Sequence, residues 1–154
     1  MADFRFDTNH IRWREFDEDS ELSYKLRYGY SILGHDREAG SLDMLMRFGG
    51  DGGHCQFHRH VAVTSTLVLE GEQHLEVFQE DGSTQHKVRR AGEYDLSLGN
   101  DPPHMERGGV DGAIILLSTH TRDGRLYDLL DDDRNVILEV TIDLLVADFE
   151  GNPG

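Results

Sequence analysis

Cysteine is almost missing from this chain of 154 residues: Cys55 stands alone, which excludes an internal disulfide and fits a reducing compartment. No apolar run approaches the ~20 residues that a membrane-crossing helix requires. The stretch "MADFRFDTNH" carries neither a basic segment nor an apolar one behind it, so no export signal is read there and a cytoplasmic location is expected. Basic charge is scarce as well: 15 Lys and Arg face 30 Asp and Glu, leaving a net charge of −15. Such a surface repels phosphate backbones, which argues against nucleic acid and membranes as partners and leaves small molecules. Helical periodicity is nearly absent too.

What the chain does contain is a series of short β-prone runs: "LSYKLRYGY", "SLDMLMRF", "HCQFHRH", "STLVLE", "QHLEVFQ", "TQHKVRR", "EYDLSL" and "GAIILLST". Turn signals separate them at "GGDGG", "EGE", "EDGS" and "GND". Many short strands with regular punctuation predict an all-β sandwich or barrel. The length suits one domain over residues 1–154, and no linker or repeat divides it. Leu42, Met44, Met46 and Phe48 share one strand face, with Asp43 and Arg47 opposite. "AIILLS" is apolar on both faces, as a doubly covered central strand requires. Trp13 and Phe16 are expected to anchor a short N-terminal extension, and "RNVILEVTIDLLVADFEGNPG" reads as a last strand followed by a short helix.

The chemistry is concentrated in histidines. On a strand over 54–60, His54, Gln56, His58 and His60 face one way, and Cys55, Phe57 and Arg59 the other. His58 and His60 then lie about 6–7 Å apart along the strand, close enough to converge on one ion. They also suit an exposed polar edge. His104, after the Pro-Pro turn in "GNDPPHMERG", opens another strand and offers a third imidazole. His54 lies two pleats from His58, too far for direct ligation and placed for a rim or relay role. Gln56 is in phase with the ligand pair and positioned to donate to a bound oxygen. Tyr94 and Arg107 are candidate contacts to an anionic substrate, or exposed strand residues.

The segment "GDGGHCQFHRHVAVTSTLVLEGE" resembles the first motif of the cupin superfamily, G-x5-H-x-H-x3-E-x6-G, with Gly52, His58, His60 and Gly71 in register. "GEYDLSLGNDPPHMERG" is similar to the second motif, with Gly92 and His104 in the matching roles. The resemblance covers about residues 40–120, and the flanks look like single-domain cupins of the anti-sigma-factor type. That group is similar to dioxygenases that cleave acetylacetone and dihydroxyacetophenone. The implied fold is a cupin jelly-roll barrel. Several positions depart from the pattern. Thr64 stands in place of the usual glutamate ligand, Leu98 in place of proline, Asn100 in place of glycine and Gly108 in place of asparagine. One extra residue precedes His104.

Lacking that glutamate, the resemblance implies a three-histidine site of His58, His60 and His104. It would hold one divalent transition metal per chain, with iron as the functional ion and zinc or nickel able to take the same donors. The implied activity is that of a non-haem iron dioxygenase cleaving a small enolisable ketone, with Gln56, Tyr94 and Arg107 as catalytic candidates. A non-catalytic metal- or ligand-binding sensor and a metal-free carbohydrate isomerase are the competing readings. Exposed edge strands and an outward Phe57 would need covering, which predicts a homodimer.

Overall fold

A computed structural model describes residues 6–18 and 24–152. Ten strands and one helix follow in order: β1 Arg14–Glu18, β2 Leu26–Asp36, β3 Ser41–Phe48, β4 His58–His60, β5 Val63–Phe78, β6 Thr84–Arg90, β7 Tyr94–Ser97, β8 His104–His120, β9 Arg125–Leu130, β10 Val136–Thr141 and α1 Ile142–Gly151. The first two residues of the run that begins at Leu22 lie outside the described residues.

All neighbouring strands pair antiparallel in one curled sheet of order β1-β2-β3-β8-β4-β9-β10, and β5 joins β8 to β6 and β7. β8 is the axis of this arrangement. From Ala113 to His120 it pairs with β3 on one edge and β5 on the other, and consecutive residues Ala113, Ile114 and Ile115 are buried, so "AIILLS" is covered on both faces. Ile115 is fully buried there. The core fills the inside of the curl, where Leu42, Met44, Met46 and Phe48 alternate inward from β3 against Tyr28 and Tyr30 from β2. Asp43 and Arg47 alternate with them toward partly exposed surface.

The "EGE" segment, expected as a turn, lies inside one continuous strand. β5 passes through Gly71 at φ 74°, with register shifts on either side of the Glu70–Gly71 step. A side chain there is impossible, because a Cβ on Gly71 would sit 2.1 Å from the carbonyl oxygen of Gly112 on β8. The strand halves beyond this bulge supply residues to the site, Leu75 and Val77 from β5 and His104 and Glu106 from β8. Phe16 stacks on Tyr28 at 5.0 Å, and Trp13 lies under the Arg47 guanidinium, so the N-terminal segment is anchored as expected.

The short C-terminal helix is present. Thr141 caps it by accepting from the Leu144 amide, and Asp143 in the first turn suits the positive end of the helix dipole. Ile142, Leu145 and Phe149 form its buried stripe, each contributing about 2 kcal/mol through burial. Asp148 fastens the helix to the sheet, accepting from the Tyr30 hydroxyl and pairing with Arg14 at 3.3 Å.

Two expectations for residues 54–60 are corrected. Only His58–His60 form a strand; His54 makes isolated bridges to Leu26 and Arg107, and the chain between them is irregular. Alternation therefore does not run through the segment. Cys55 turns inward with His58, and Phe57 is buried edge-on against Phe78 at 5.0 Å. Phe57 leaves no outward face for a second copy to cover.

Candidate metal centre

β4 is three residues long, yet it carries two of the key side chains. It is held by register with β9, where Arg59 stands opposite Asp128, and by the single pair His58–His104 with β8. Arg59 points away from the histidines and binds the buried Asp128 carboxylate at 3.1 Å. Arg125 grips the same carboxylate from its own strand at 3.1 Å. This charge cluster pins the outer side of β4, and its inner side presents imidazoles.

On that inner side, His58 and His60 meet His104. Ring centroids are 5.0 Å apart for His58 and His60, 4.4 Å for His58 and His104, and 5.1 Å for His60 and His104. A fourth group joins them. Glu106 follows His104 by two residues on β8, shares its face, and accepts from His104 Nε2 at 3.1 Å. One ligand atom from each of His58, His60, His104 and Glu106 falls within 4.8 Å of the others. The site is thus a His-His-His-Glu cluster, not the three-histidine set expected from the missing glutamate at position 64. The carboxylate comes from another strand.

Backbone and hydroxyl partners fix the rings. His58 Nδ1 donates to the Gln56 carbonyl at 2.7 Å, leaving Nε2 with its lone pair. Thr64 donates to the Ala62 carbonyl at 3.1 Å, so its oxygen is free to accept from His60 Nδ1 at 3.4 Å. Thr64 therefore orients a histidine where the superfamily motif has a ligand. Burial, reinforced by the neighbouring His104, lowers the His58 pKa to about 4. Burial and the other two histidines push His60 well below its ordinary value in the same way. Both rings are neutral at pH 7, the form a metal requires. Burial alone would raise the Glu106 pKa, but the hydrogen bond donated by His104 and the attraction of that ring outweigh it and hold the carboxylate ionised.

Two neutral imidazoles, a third beside a buried carboxylate, and anchored Nδ1 atoms make a donor set suited to a divalent transition metal. Cys55 lies behind it, with Sγ 3.7 Å from His58 Nδ1. Burial and Glu106 push the thiol pKa up, so it stays protonated and is a poor ligand.

The cluster sits between spaces of opposite character. A polar cavity of about 110 Å³ reaches His60, His104 and Glu106, with Thr66, Lys87, Arg89, Asp95 and Asp101 around it. Asp95 neutralises Arg89 at 3.2 Å. On the other side a narrow space of about 30 Å³ touches His58, His60 and Glu106 and is walled by Tyr28, Met44, Met46, Gln56, Leu117 and Tyr127.

Gln56 thus stands beside the cluster, its Oε1 accepting from the Tyr28 hydroxyl at 2.7 Å. Tyr94 does not. It is 61% exposed on the outer face of β7, where its hydroxyl meets Ser65 at 3.0 Å. Arg107 alternates with Glu106 and so points to the opposite face of β8. His54 is outside the cluster, packed edge-on against Tyr24 at 6.1 Å. Glu106, Tyr127 and the orienting function of Thr64 are absent from the sequence reading, although the His104-x-Glu106 spacing carries the first of them.

No protein-family model and no curated protein matches the sequence. Solved structures do match the fold. An acetylacetone dioxygenase from Acinetobacter johnsonii superposes with a TM-score of 0.70 over 99% of this chain and 93% of that one, at 14% identity. An RmlC-like cupin protein from Ralstonia eutropha gives 0.66 over 94% and 83%, at 16% identity. A cupin-2 barrel protein from Rhodopseudomonas palustris gives 0.62 over 80% of each chain, at 14% identity. At such identities the likeness speaks for architecture, and the architecture of this chain is the RmlC-like cupin barrel.

Proposed function

We propose that this chain is a metal-dependent enzyme of the dioxygenase type, cleaving a carbon–carbon bond of a small enolisable ketone such as a β-diketone or hydroxyketone. The observation that carries this reading is a buried His-His-His-Glu cluster with space on both sides. The acetylacetone dioxygenase among its structural neighbours supports it. His58, His60, His104 and Glu106 would hold the ion. A bound redox-active metal such as iron would supply a Lewis acid for the enolate and an electron path to dioxygen.

The chain's own contribution is positional. The Gln56 carbonyl oxygen is taken by Tyr28, so its amide nitrogen keeps both protons for a substrate oxygen. Met44, Met46 and Leu117 give the narrow space an apolar wall. Thr64 and the Gln56 backbone carbonyl keep two imidazoles aimed before any ligand arrives.

A second reading, a non-catalytic metal- or ligand-binding sensor, draws on the same cluster: four protein donors satisfy a tetrahedral ion without an open position. Oxygen uptake separates the two. Protein reconstituted with ferrous iron and given a panel of diketones should consume oxygen and yield two carbonyl or carboxyl fragments. The zinc form should not, because zinc has no accessible redox state. Gln56→Ala should lower turnover more than metal content. Absence of uptake in protein shown to carry iron overturns the enzymatic reading in favour of the sensor.

A further inference from the structure

Beneath α1 the protein holds a larger space than either cavity at the cluster. It measures about 230 Å³ and lies between the helix, β2, β9 and β10, with walls from Phe16, Tyr28, Leu129, Leu138, Val140 and Leu144. Among the described residues, Asp148 is its only charged wall residue, and that carboxylate is already engaged by Arg14 and Tyr30. Tyr28, Tyr30, Gln56 and Tyr127 belong both to this chamber and to the narrow space touching His58, His60 and Glu106. The Tyr28–Gln56 hydrogen bond therefore stands on the boundary between the chamber and the cluster.

Leu138 and Leu144 at the chamber are 44% and 41% exposed, so this apolar space opens to water. Leaving such walls wet is unfavourable, and an apolar group that fills them gains the difference. The size is informative, since an apolar cavity of about 150 Å³ accommodates a benzene ring.

We propose that this chamber is a substrate subsite that receives an apolar substituent of aryl size, while the oxygens of the same molecule reach the His-His-His-Glu cluster past Gln56. The inference rests on the reading of that cluster as the metal centre, and it adds where the rest of the substrate lies and what it is made of. α1 and β10 set the size limit, Leu144 and Leu138 being its two outer walls. The occupant is one arm of the ligand held at the cluster, because the chamber shares its boundary residues with the space beside the histidines.

Two ligands differing by one group test this: acetylacetone, and benzoylacetone, in which phenyl replaces a methyl. Their affinities are measured calorimetrically on the zinc-loaded and metal-free protein, and on Leu144→Trp and Leu138→Trp, each checked for folding by its thermal transition. Benzoylacetone should bind roughly 10- to 100-fold more tightly than acetylacetone in the wild type, as expected for burying one phenyl ring. Either tryptophan variant should reduce that ratio to about threefold or less by filling the chamber. Equal affinities in the wild type, or a ratio that survives both substitutions, overturns the proposal.

The metal-centre reading fails separately, if acetylacetone binds the zinc form no better than the metal-free form. The phenyl ratio in metal-free protein then still decides for or against the chamber. A dimer that both tryptophan variants dissociate, with no phenyl preference in any form, gives the groove to a second copy and overturns the proposal as well.

Discussion

Acidifying the metal-free protein should begin to destabilise it above the range where carboxylates titrate, and the two buried histidines of β4 set the size of the effect. The His58 pKa falls from 6.5 to about 4 on folding, because burial and the adjacent His104 disfavour the charged ring. At about 1.4 kcal/mol per pKa unit, this corresponds to about 3 kcal/mol. Between those two values the unfolded chain binds a proton that the folded chain refuses. Stability therefore rises with pH through this window and is lost as pH falls from about 6.5 toward about 4. His60, lowered for the same reason, steepens the loss. Glu106 acts in a lower window: its depressed pKa contributes stability above the ordinary value of 4.5, lost as pH falls below it. Urea unfolding of chelator-treated protein from about pH 7.5 to about pH 5 measures the first window. His58→Gln should flatten the slope by about 1.4 kcal/mol per pH unit, one proton's worth. Saturating zinc should shift the loss to lower pH, because the ion competes with protons for the same rings. A metal-free protein equally stable across this range would refute the placement of these histidines as buried neutral groups.

Glu106→Gln, which preserves shape and removes the charge, should weaken zinc binding by roughly 100-fold in a competitive chelator titration, and unchanged affinity would return the site to three histidines. Thr64→Val should cost about tenfold in the same titration by freeing the His60 ring, whereas Thr64→Ser, keeping the hydroxyl, should stay near wild type. Tyr94→Phe and Arg107→Ala, both on outward strand faces, should leave metal content and turnover as they are, measured by elemental analysis and oxygen uptake.

How much of this was readable beforehand depends on local regularity. β3 and β6 match their expected runs residue for residue, β3 because its apolar residues alternate and β6 because turn signals bound it. His58, His60 and His104 were legible because motif spacing and strand alternation agree where the chain really is a strand. Alternation failed at Cys55 and Phe57, where residues 54–57 depart from strand geometry and the inward phase is lost. Glu106 was hidden for another reason: the superfamily motif puts its carboxylate at position 64 on β5, whereas the His-x-Glu pair that supplies one here lies on β8. Gly71 misled as a turn because a positive φ suits a bulge as well as a hairpin. The chamber under α1 had no sequence signature, since β2, β9, β10 and the helix contribute to it from distant parts of the chain.

The charge cluster on the back of β4 bears on how this protein would fail. Two of the four donors ride on a strand too short to hold its own position, so their aim depends on Arg59, Asp128 and Arg125, none of which touches the site. Damage there need not melt the barrel, whose β5–β8 seam is independent of it. It would instead let the histidines wander, yielding a folded protein whose four donors no longer converge on one point. A genetic or directed-evolution screen scoring only folding would pass such variants unseen, and one scoring metal retention would map a supporting scaffold on the face opposite the chemistry.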